Sequence, residues 1–420
     1  MPPSSVKPVE GMHNPGFTTP FSGSMMESKN KVATWLTLEE VQDYLGVRAQ
    51  TIYAYVSRGL IASHPDPQNI RRSLYSAETI QKLKQKKQQG RKRETLAANT
   101  LFGTEPSIPT AISTFARGRL YYRGKDAVNF AKEATLEETA RLLWDAETLN
   151  VFSIQERDYP PCPPDRTHAF VALAAATATG HSTHARTPRV LHAEAATLVG
   201  HLASTFGAEN NPSLLIHQRL AKGWGKEKDV ADILRKAMVL LADHELTSSA
   251  FATRIAASNG ASLPACLLTG LATFTGPLHG DATPRVKALL DEVERSSAEQ
   301  VVNRYLSSAL PIPGFGHHLY PDGDPRAIAL LEEFEPPDEI AKFIEKVTTL
   351  TGLYPNIDAV LAALVTRYRL QGDAAFALFS IARSVGLLAH AMEQINTCKV
   401  IRPRGRYIGP DLNVPVNGRN

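Results

Sequence analysis

Gly276-Pro277-Leu278-His279-Gly280 and Ile312-Pro313-Gly314-Phe315-Gly316-His317 are two short segments in which glycine and proline surround a histidine. Glycine lacks a Cβ atom and proline fixes φ, so each segment predicts a turn that a ligand or another backbone can approach closely. A third segment, Tyr354-Pro355-Asn356-Ile357-Asp358, places a carboxylate just after another proline. Two imidazoles and a carboxylate on such turns predict a site assembled from distant parts of the chain, although their spacing alone also fits three unrelated loops.

The sequence around these segments predicts a nearly all-α body from residue 101 onward. Ala and Leu dominate one amphipathic pattern after another, and the turns fall at Pro and Gly. One long pattern at 230–257 predicts a single helix, and another covers 373–394. Alternating β-branched runs are scarce, so we expect one small hairpin, at 112–122. No Walker or Rossmann glycine loop is present.

Composition indicates an ordinary soluble protein of more than one domain. The 420 residues exceed the usual size of one domain, and 43% are hydrophobic while 21% are charged. The most apolar late stretch, 374–392, contains Arg383 and His390, which favours a buried helix over a membrane span. With no signal peptide and three widely spaced cysteines, we expect a cytoplasmic protein without disulfides or a membrane partner: Cys162, Cys266 and Cys398.

The net charge of +4 is distributed unevenly along the chain. Residues 34–93 contain eleven Lys/Arg and five Asp/Glu, whereas residues 94–420 contain thirty-two basic and thirty-five acidic side chains. This asymmetry predicts a small basic module, 34–94, joined to a mildly acidic body. Residues 1–33 are rich in Pro, Ser, Gly and Met, and we expect them to form a disordered tail.

The basic module has the signals of a short helical domain. Thr37 and Glu40 have the spacing of a capping box, and Gly46 ends the helix that they begin. A second helix is predicted at 51–61, followed by a basic hairpin strand at 71–75.

This pattern resembles the winged helix-turn-helix modules of the MerR and phage-excisionase type over residues 35–86. The resemblance implies that the second helix enters the DNA major groove. It also implies candidate contacts to bases, to phosphates or, from the wing, to the DNA backbone: Gln50, Thr51, Tyr53, Arg58, Arg71 and Arg72. The run 82–93, with seven cations and no acid, fits either a phosphate-tracking segment or a solvated helix face. The alternative to DNA binding is a helix-turn-helix module that binds another protein or has lost its role.

Further motifs occur in order along the body. Asp243-His244-Glu245 resembles the start of a zinc helix, but Ser248 stands four residues beyond His244, so no metal site is predicted. After the glycine-rich segments come Asp324-Pro325-Arg326, Ala382-Arg383-Ser384 and Arg402-Pro403-Arg404. Together with Gly118-Arg119-Leu120-Tyr121-Tyr122-Arg123-Gly124, these motifs resemble the citrate synthase family, which includes 2-methylcitrate synthases, over residues 103–410.

The resemblance implies a mainly α, two-domain, all-helical body preceded by the winged helix-turn-helix. The large domain is expected at 95–279 and 369–420, and the small domain at 280–368. Closure of the two domains is expected to exclude water. A homodimer is also implied, because one arginine is expected to reach the site from a partner subunit.

The family condenses an acyl-CoA with oxaloacetate and then hydrolyses the thioester. By resemblance, Asp358 is the base that removes the α-proton, His279 the donor to the thioester oxygen and His317 the donor to the oxaloacetate carbonyl. The ligands of the substrate carboxylates follow in the same way: His244, Arg326, Arg383 and, in trans, Arg402. The implied enzyme is an acyltransferase that uses acetyl-CoA or propionyl-CoA as co-substrate, forms citrate or 2-methylcitrate, and holds no tightly bound cofactor.

The residue types suit this chemistry whatever the family. A weak carbon acid cannot be deprotonated by one carboxylate without electrophilic help at its carbonyl. Two carboxylates and a developing alkoxide need several cations, and arginine binds carboxylates in bidentate geometry. Each residue also has an ordinary explanation: a first-turn helix acid for Asp358, a core histidine for His279, a surface ion pair for Arg326. Arg383 in an apolar helix is harder to explain without a buried anion.

Several positions depart from the family pattern. The segment Gly280-Asp281-Ala282-Thr283 stands where Gly-Gly-Ala-Asn is common, which adds an acid. Thr247 also replaces an Asn, His318 replaces an Arg, and Pro321 replaces a basic residue near the CoA phosphates. These changes leave the identity of the acyl-CoA open. The alternative function is a DNA-binding regulator whose body senses a carboxylate or an acyl-CoA without turnover.

Overall fold

A computed structural model divides the chain into two compact units, Met1–Ile108 and Pro109–Asn420. The structure describes residues 35–57, 59–67, 69–81, 83, 108–148, 152–153, 165–276, 280–370, 373–402 and 409. The expected tail at 1–33 and the predicted boundary at 94/95 lie outside the described residues.

Within its described residues, the first unit contains the helices α1 and α2, further helical residues at 77–81 and 83, and a three-stranded antiparallel sheet of order β1-β3-β2. Its elements are β1 (Trp35–Leu36), α1 (Leu38–Leu45), α2 (Ala49–Ser57), β2 (Ser63–Asp66) and β3 (Asn69–Ser76). The predicted capping box is confirmed, since Thr37 Oγ1 accepts from Glu40 N and Glu40 Oε2 accepts from Thr37 N at 2.7 Å. Gly46 ends α1 in the left-handed region, at φ 62°. A small core closes the unit, formed by Val41, Ile52, Ile61, Tyr75 and Ile80.

The second unit is mainly α, as predicted, and opens with one small antiparallel sheet. Its strands are β4 (Ser113–Ala116), β5 (Arg119–Tyr122) and β6 (Lys125–Asp126). Ala116 pairs with Arg119 across a two-residue turn, Arg117-Gly118, in which both residues have positive φ. This turn type matches the twist of a two-residue hairpin. The hairpin expected at 112–122 is therefore confirmed.

After this sheet, the described residues of the second unit form fourteen α-helices and one 3-10 turn. The helices are α3 (Ala127–Phe130), α4 (Leu136–Leu143), α5 (Arg166–Thr179), α6 (Pro188–Thr205), α7 (Ile216–Gly223), α8 (Lys228–Leu241), α9 (Ser248–Ser258), α10 (Leu263–Phe274), α11 (Thr283–Arg295), α12 (Ala298–Ser307), α13 (Pro325–Leu331), α14 (Asp338–Thr351), α15 (Ile357–Arg367) and α16 (Ala374–Thr397).

Helix α16 is the central helix of this unit. It packs against α4, α6, α8, α9 and α10. By length and composition it could cross a membrane, but its apolar window is wholly buried in the protein. Gly386 lets the turn after α8 lie directly on α16, because a Cβ there would be 2.4 Å from both Ala242 O and Asp243 Oδ1. Gly386 N donates to Ala242 O at 3.1 Å.

The single helix predicted at 230–257 is wrong. Helix α8 ends at Leu241 and α9 begins at Ser248, and Glu245 between them adopts φ 63°. Asp243 causes the break, since its carboxylate accepts from Ser113 Oγ and from Glu245 N at 3.2 Å. Because Ser113 lies 130 residues away, the periodicity of 230–257 does not reveal it. His244 therefore lies in a turn.

Candidate active site

The glycine-rich segment 312–317 and the segment 354–358 are hydrogen-bonded to each other in the structure. Gly316 N donates to Tyr354 O and Asn356 N donates to Gly314 O, both at 2.8 Å. Gly314 and Gly316 have φ of 85° and 76°, which glycine adopts without strain. A Cβ at Gly314 would also lie 3.0 Å from Ala359 Cβ at the start of α15. The glycines thus allow the His317 loop to pair with the segment that leads to Asp358.

Asp358 lies in the first turn of α15. Asn356 caps this helix, and its Oδ1 accepts from Asp358 N at 3.0 Å. Among the described side chains, Thr283 is the one that donates to the Asp358 carboxylate, from Oγ1 to Oδ1 at 2.8 Å. Burial raises the pKa of Asp358, and the Thr283 hydroxyl partly opposes that rise. A carboxylate with a raised pKa binds a proton more readily, which suits a general base.

His317 is held as a hydrogen-bond donor. Leu319 N donates to His317 Nδ1 at 3.1 Å, so the neutral ring carries its hydrogen on Nε2. Burial, with the nearby Arg326 charge, lowers the pKa of His317 to about 4. The ring is therefore neutral at physiological pH. It also stacks on His318, with centroids 4.9 Å apart.

His244 faces the same space from the turn between α8 and α9. Its ring centroid lies 5.6 Å from that of His317 and 4.7 Å from that of Phe115 in β4. His244 Nε2 is 3.2 Å from the Tyr320 hydroxyl. Burial, followed by the charges of Arg326 and Arg383, lowers the pKa of His244 well below its usual value. His244 is thus also a neutral imidazole.

Arg326 belongs to a buried ion pair. Its Nε and Nη2 donate to the two oxygens of Asp324 at 3.0 and 2.8 Å, and both side chains are at most 3% exposed. The surface ion pair considered for Arg326 is therefore wrong. Asp324 Oδ2 also accepts from Ile357 N at 3.2 Å, which ties the start of α15 to the arginine. Burial disfavours the Arg326 charge, but Asp324 outweighs it and raises the pKa of the guanidinium.

Arg383 is a buried cation on α16. The residue is 2% exposed, and its Nε donates to Leu241 O at 3.0 Å. Across the described part of the chain, no carboxylate forms an ion pair with it. Burial, with the repulsion from Arg326, lowers the pKa of Arg383 to about 10, so the charge persists at neutral pH at an energetic cost. A buried guanidinium without an ion-pair partner is chemically suited to bind an anion.

A buried chain of side chains fixes the turn that carries His244. Asp243, which is fully buried, has Oδ1 3.3 Å from His390 Nε2. Arg254 Nε donates to His390 Nδ1 at 3.0 Å, so the His390 hydrogen is on Nε2 and faces the carboxylate. Arg254 in turn pairs with Glu393. This network sets the position of His244 from inside the core.

The remaining predicted residues are placed as follows. His279 lies outside the described residues, and Arg402 is exposed. In the first unit Gln50, Tyr53 and Arg72 are exposed and Thr51 is half-buried, whereas Arg58 and the Arg71 side chain fall outside the described residues.

The structure adds side chains that the sequence did not single out as functional. These are Tyr320 beside His244, Asp324 on Arg326, Asp243 in the turn, and Thr283 on Asp358. Asp324 and Asp243 stand in the same short motifs as Arg326 and His244, so their position in the sequence could have indicated a role at the site. Thr283 appeared only as a departure from the family pattern, and Tyr320 gave no signal.

Comparison with known proteins agrees with this arrangement. The family model for the citrate synthase C-terminal domain matches residues 102–404, and a helix-turn-helix model matches 35–88. A citrate synthase from Synechocystis is 28% identical over 341 residues, or 70% of this chain and 85% of the relative. Citrate synthase 2 of Bacillus subtilis is 33% identical over 45% of this chain and 54% of the relative, so this match spans about half of that protein.

Solved structures give the same fold. Citrate synthase from Thermotoga maritima superposes with a TM-score of 0.61 at 25% identity, covering 77% of this chain and 99% of its own. A citrate synthase from Thermoplasma acidophilum, solved as a ternary complex with carboxymethyl coenzyme A and oxaloacetate, has a TM-score of 0.59. This structure is 21% identical and covers 76% of this chain and 98% of its own. At this identity, the similarity shows a shared fold and nothing more. With a family model matched over most of its length, the chain belongs to the citrate synthase family and carries a helix-turn-helix domain ahead of the helical body.

Proposed function

We propose that the protein is an acyltransferase that condenses acetyl-CoA or propionyl-CoA with oxaloacetate, forming citrate or 2-methylcitrate and free CoA. The observation that carries the proposal is the pairing of the His317 loop with the Asp358 segment, beside buried Arg326 and Arg383. A molecule that only senses a carboxylate needs the two arginines. It needs neither a carboxylate whose pKa is raised by burial nor a neutral imidazole that serves as a donor.

Three residues carry the chemistry in this proposal. Asp358 accepts the α-proton of the acyl group while His279 donates to the thioester oxygen, so that an enol forms. The enol carbon then bonds to the keto carbon of oxaloacetate. As the keto C=O π bond breaks, the keto oxygen takes the proton of His317 Nε2 and becomes a hydroxyl, while the enol oxygen returns its proton to His279 and the thioester carbonyl re-forms. Water then cleaves the thioester and releases the CoA thiol. The Nδ1 contact that keeps the His317 hydrogen on Nε2 supports this role.

The oxaloacetate carboxylates bind to His244, Arg326 and Arg383 in this proposal, with Arg402 supplied by a partner subunit of a homodimer. Arg326 uses Nε and Nη2 for Asp324 and retains further N–H groups for a ligand. The buried charge of Arg383 supports the same assignment. An anion there offsets part of the cost of its burial.

The proposed domain division places these residues on both sides of a cleft. With the large domain at 95–279 and 369–420, His244 and Arg383 belong to it. With the small domain at 280–368, His317, Arg326 and Asp358 belong to that one. Closure then brings base, donors and cations around the substrates and excludes water.

The proposal is tested by thiol release with acetyl-CoA and with propionyl-CoA, each with and without oxaloacetate. We expect oxaloacetate-dependent release with at least one thioester, and the two kcat/KM values assign the acyl group. Absence of release above the enzyme-free rate with both thioesters, while oxaloacetate still raises the thermal unfolding midpoint, would instead support the sensor.

A second function, DNA binding by residues 34–94, is favoured by exposed side chains on α2 and β3 of the first unit. Tyr53 on α2 is 53% exposed, and Gln50 and Arg72 are exposed as well. Phosphate contacts make such binding sensitive to salt.

We expect the full chain to bind DNA from upstream of its own gene, and the double variant Arg71→Ala/Arg72→Ala to bind more weakly. Because each phosphate contact contributes about 0.9 to the slope of log K against log salt, losing two should make the slope shallower by about 1.8. Fluorescence anisotropy across a salt series measures both changes. Asp358→Asn is the matched control and should bind as wild type; equal binding by the double variant counts against a DNA role.

A further inference from the structure

Thr283 is the side chain that contacts the proposed base. It is 3% exposed at the first position of α11, and its hydroxyl lies 2.8 Å from Asp358 Oδ1, across 75 residues of sequence. The N-cap of α11 is Ala282, which provides no side-chain cap. The Thr283 hydroxyl therefore acts on Asp358 rather than on the end of its own helix.

The position of Thr283 is fixed by the turn before it. Residues Gly280–Ala282 form one 3-10 turn that leads directly into α11. Gly280 lies against the ring of Phe274, since a Cβ there would be 2.0 Å from a ring atom. This close contact leaves the hydroxyl of Thr283 little freedom to move away from α15.

The hydrogen bond uses only one oxygen of the carboxylate. A hydroxyl has one hydrogen to donate, and no other described side chain donates to the Asp358 carboxylate, which leaves Oδ2 for a substrate. A carboxylate that is held through one oxygen presents the other in a defined direction, and orientation of this kind contributes strongly to rate. The donor also favours the charged carboxylate against the effect of burial.

We propose that Thr283 is a positioning residue, which holds Oδ1 of Asp358 so that Oδ2 is directed at the acyl group of the thioester. The inference rests on the proposed function, in which Asp358 is the base. It goes beyond that function because the family pattern has Asn at this position, so the hydroxyl contact belongs to this chain.

A cavity beside Thr283 allows this side chain to be replaced without a steric clash. The space beside Thr283 has a volume of about 200 Å³ and is also lined by Pro284, Ala288, Ala362 and Phe376. Thr283→Val keeps the shape of the side chain and removes only the hydroxyl, and the cavity relieves any misfit. Ala288→Val changes the same cavity without a contact to Asp358 and is the matched control.

We expect Thr283→Val to lower kcat by about 10- to 100-fold, the usual effect of losing one hydrogen bond to a charged group, with the KM for oxaloacetate unchanged. Without the hydroxyl the pKa of Asp358 rises further. Asp358 must be unprotonated to act as the base, so the acid limb of the pH profile of kcat moves to higher pH. Thr283→Ser should restore both properties, and Ala288→Val should keep them.

Two comparisons separate this inference from the function on which it rests. Wild-type turnover with an unchanged rate and acid limb in Thr283→Val overturns the role of Thr283 alone, whereas absence of wild-type turnover contradicts the proposed function. A ¹³C NMR titration of the Asp358 carboxyl, assigned with Asp358→Asn, decides the positioning contact without turnover. A higher pKa in Thr283→Val supports the contact, and an equal pKa overturns it.

Discussion

Replacing Asp358 with asparagine is expected to lower kcat for CoA release by about 10²–10⁴-fold, the range that general base catalysis contributes. Asparagine has nearly the same shape and its amide oxygen can still accept from Thr283, but it cannot take up the α-proton. The KM for oxaloacetate should stay close to wild type, because the arginines that are proposed to bind it are intact. Steady-state thiol release over a range of oxaloacetate concentrations measures both quantities.

The matched control for this variant is Asp338→Asn. Asp338 is also a first-turn acid, at the start of α14, so it shares any interaction of Asp358 with a helix dipole. Such an interaction adds about 0.3–1 kcal/mol to the free energy of unfolding and has no effect on kcat. If both variants lose a little stability and both keep their kcat, Asp358 is a helix-stabilising acid and the proposed mechanism is wrong.

Replacing Arg383 with methionine is expected to weaken oxaloacetate binding by at least about 30-fold, since truncating one partner of a buried charge pair costs about 2–5 kcal/mol. The unliganded protein should lose little stability, because removal of an uncompensated buried charge offsets the lost bond to Leu241 O. Thermal unfolding with and without oxaloacetate measures both effects. At about 100 times the Kd, wild type should gain about 2.7 kcal/mol, and the variant much less.

Arg219→Met is the control for a buried arginine with a structural role. Arg219 is 1% exposed and donates from Nε to Glu209 O at 2.8 Å, and it is not among the proposed ligands. We expect it to lower the unfolding midpoint and to keep the stabilisation by oxaloacetate. The opposite pattern, in which Arg383→Met unfolds easily and still responds fully to oxaloacetate, contradicts the assignment of Arg383.

The features predicted correctly from sequence are those with local causes. Thr37 and Glu40 are three residues apart, and the capping box that they form depends on nothing else in the chain. The hairpin at 113–122 likewise depends on its own turn, where Gly118 adopts positive φ. The ordered motifs then placed the whole body in one family.

The features that the sequence did not reveal depend on contacts between distant residues. The break between α8 and α9 needs Ser113 and the close approach at Gly386, neither of which changes the periodicity of the segment that breaks. The sequence also fitted a surface ion pair for Arg326. Its burial depends on the packing of α13, where Asp324 accepts a hydrogen bond from Ile357 at the start of α15. Thr283 differs from the family residue, and only its distance to Asp358 shows what it contacts.

A crystal structure of the protein with oxaloacetate and carboxymethyl-CoA would place every proposed group against its target, including His279. We predict that Arg326 and Arg383 bind the oxaloacetate carboxylates and that His317 Nε2 donates to its keto oxygen. An oxygen of Asp358 should lie about 3–3.5 Å from the carboxymethyl group. Oxaloacetate bound away from Arg383, or an Asp358 carboxylate that does not face the same cavity as His317, would contradict the proposed site.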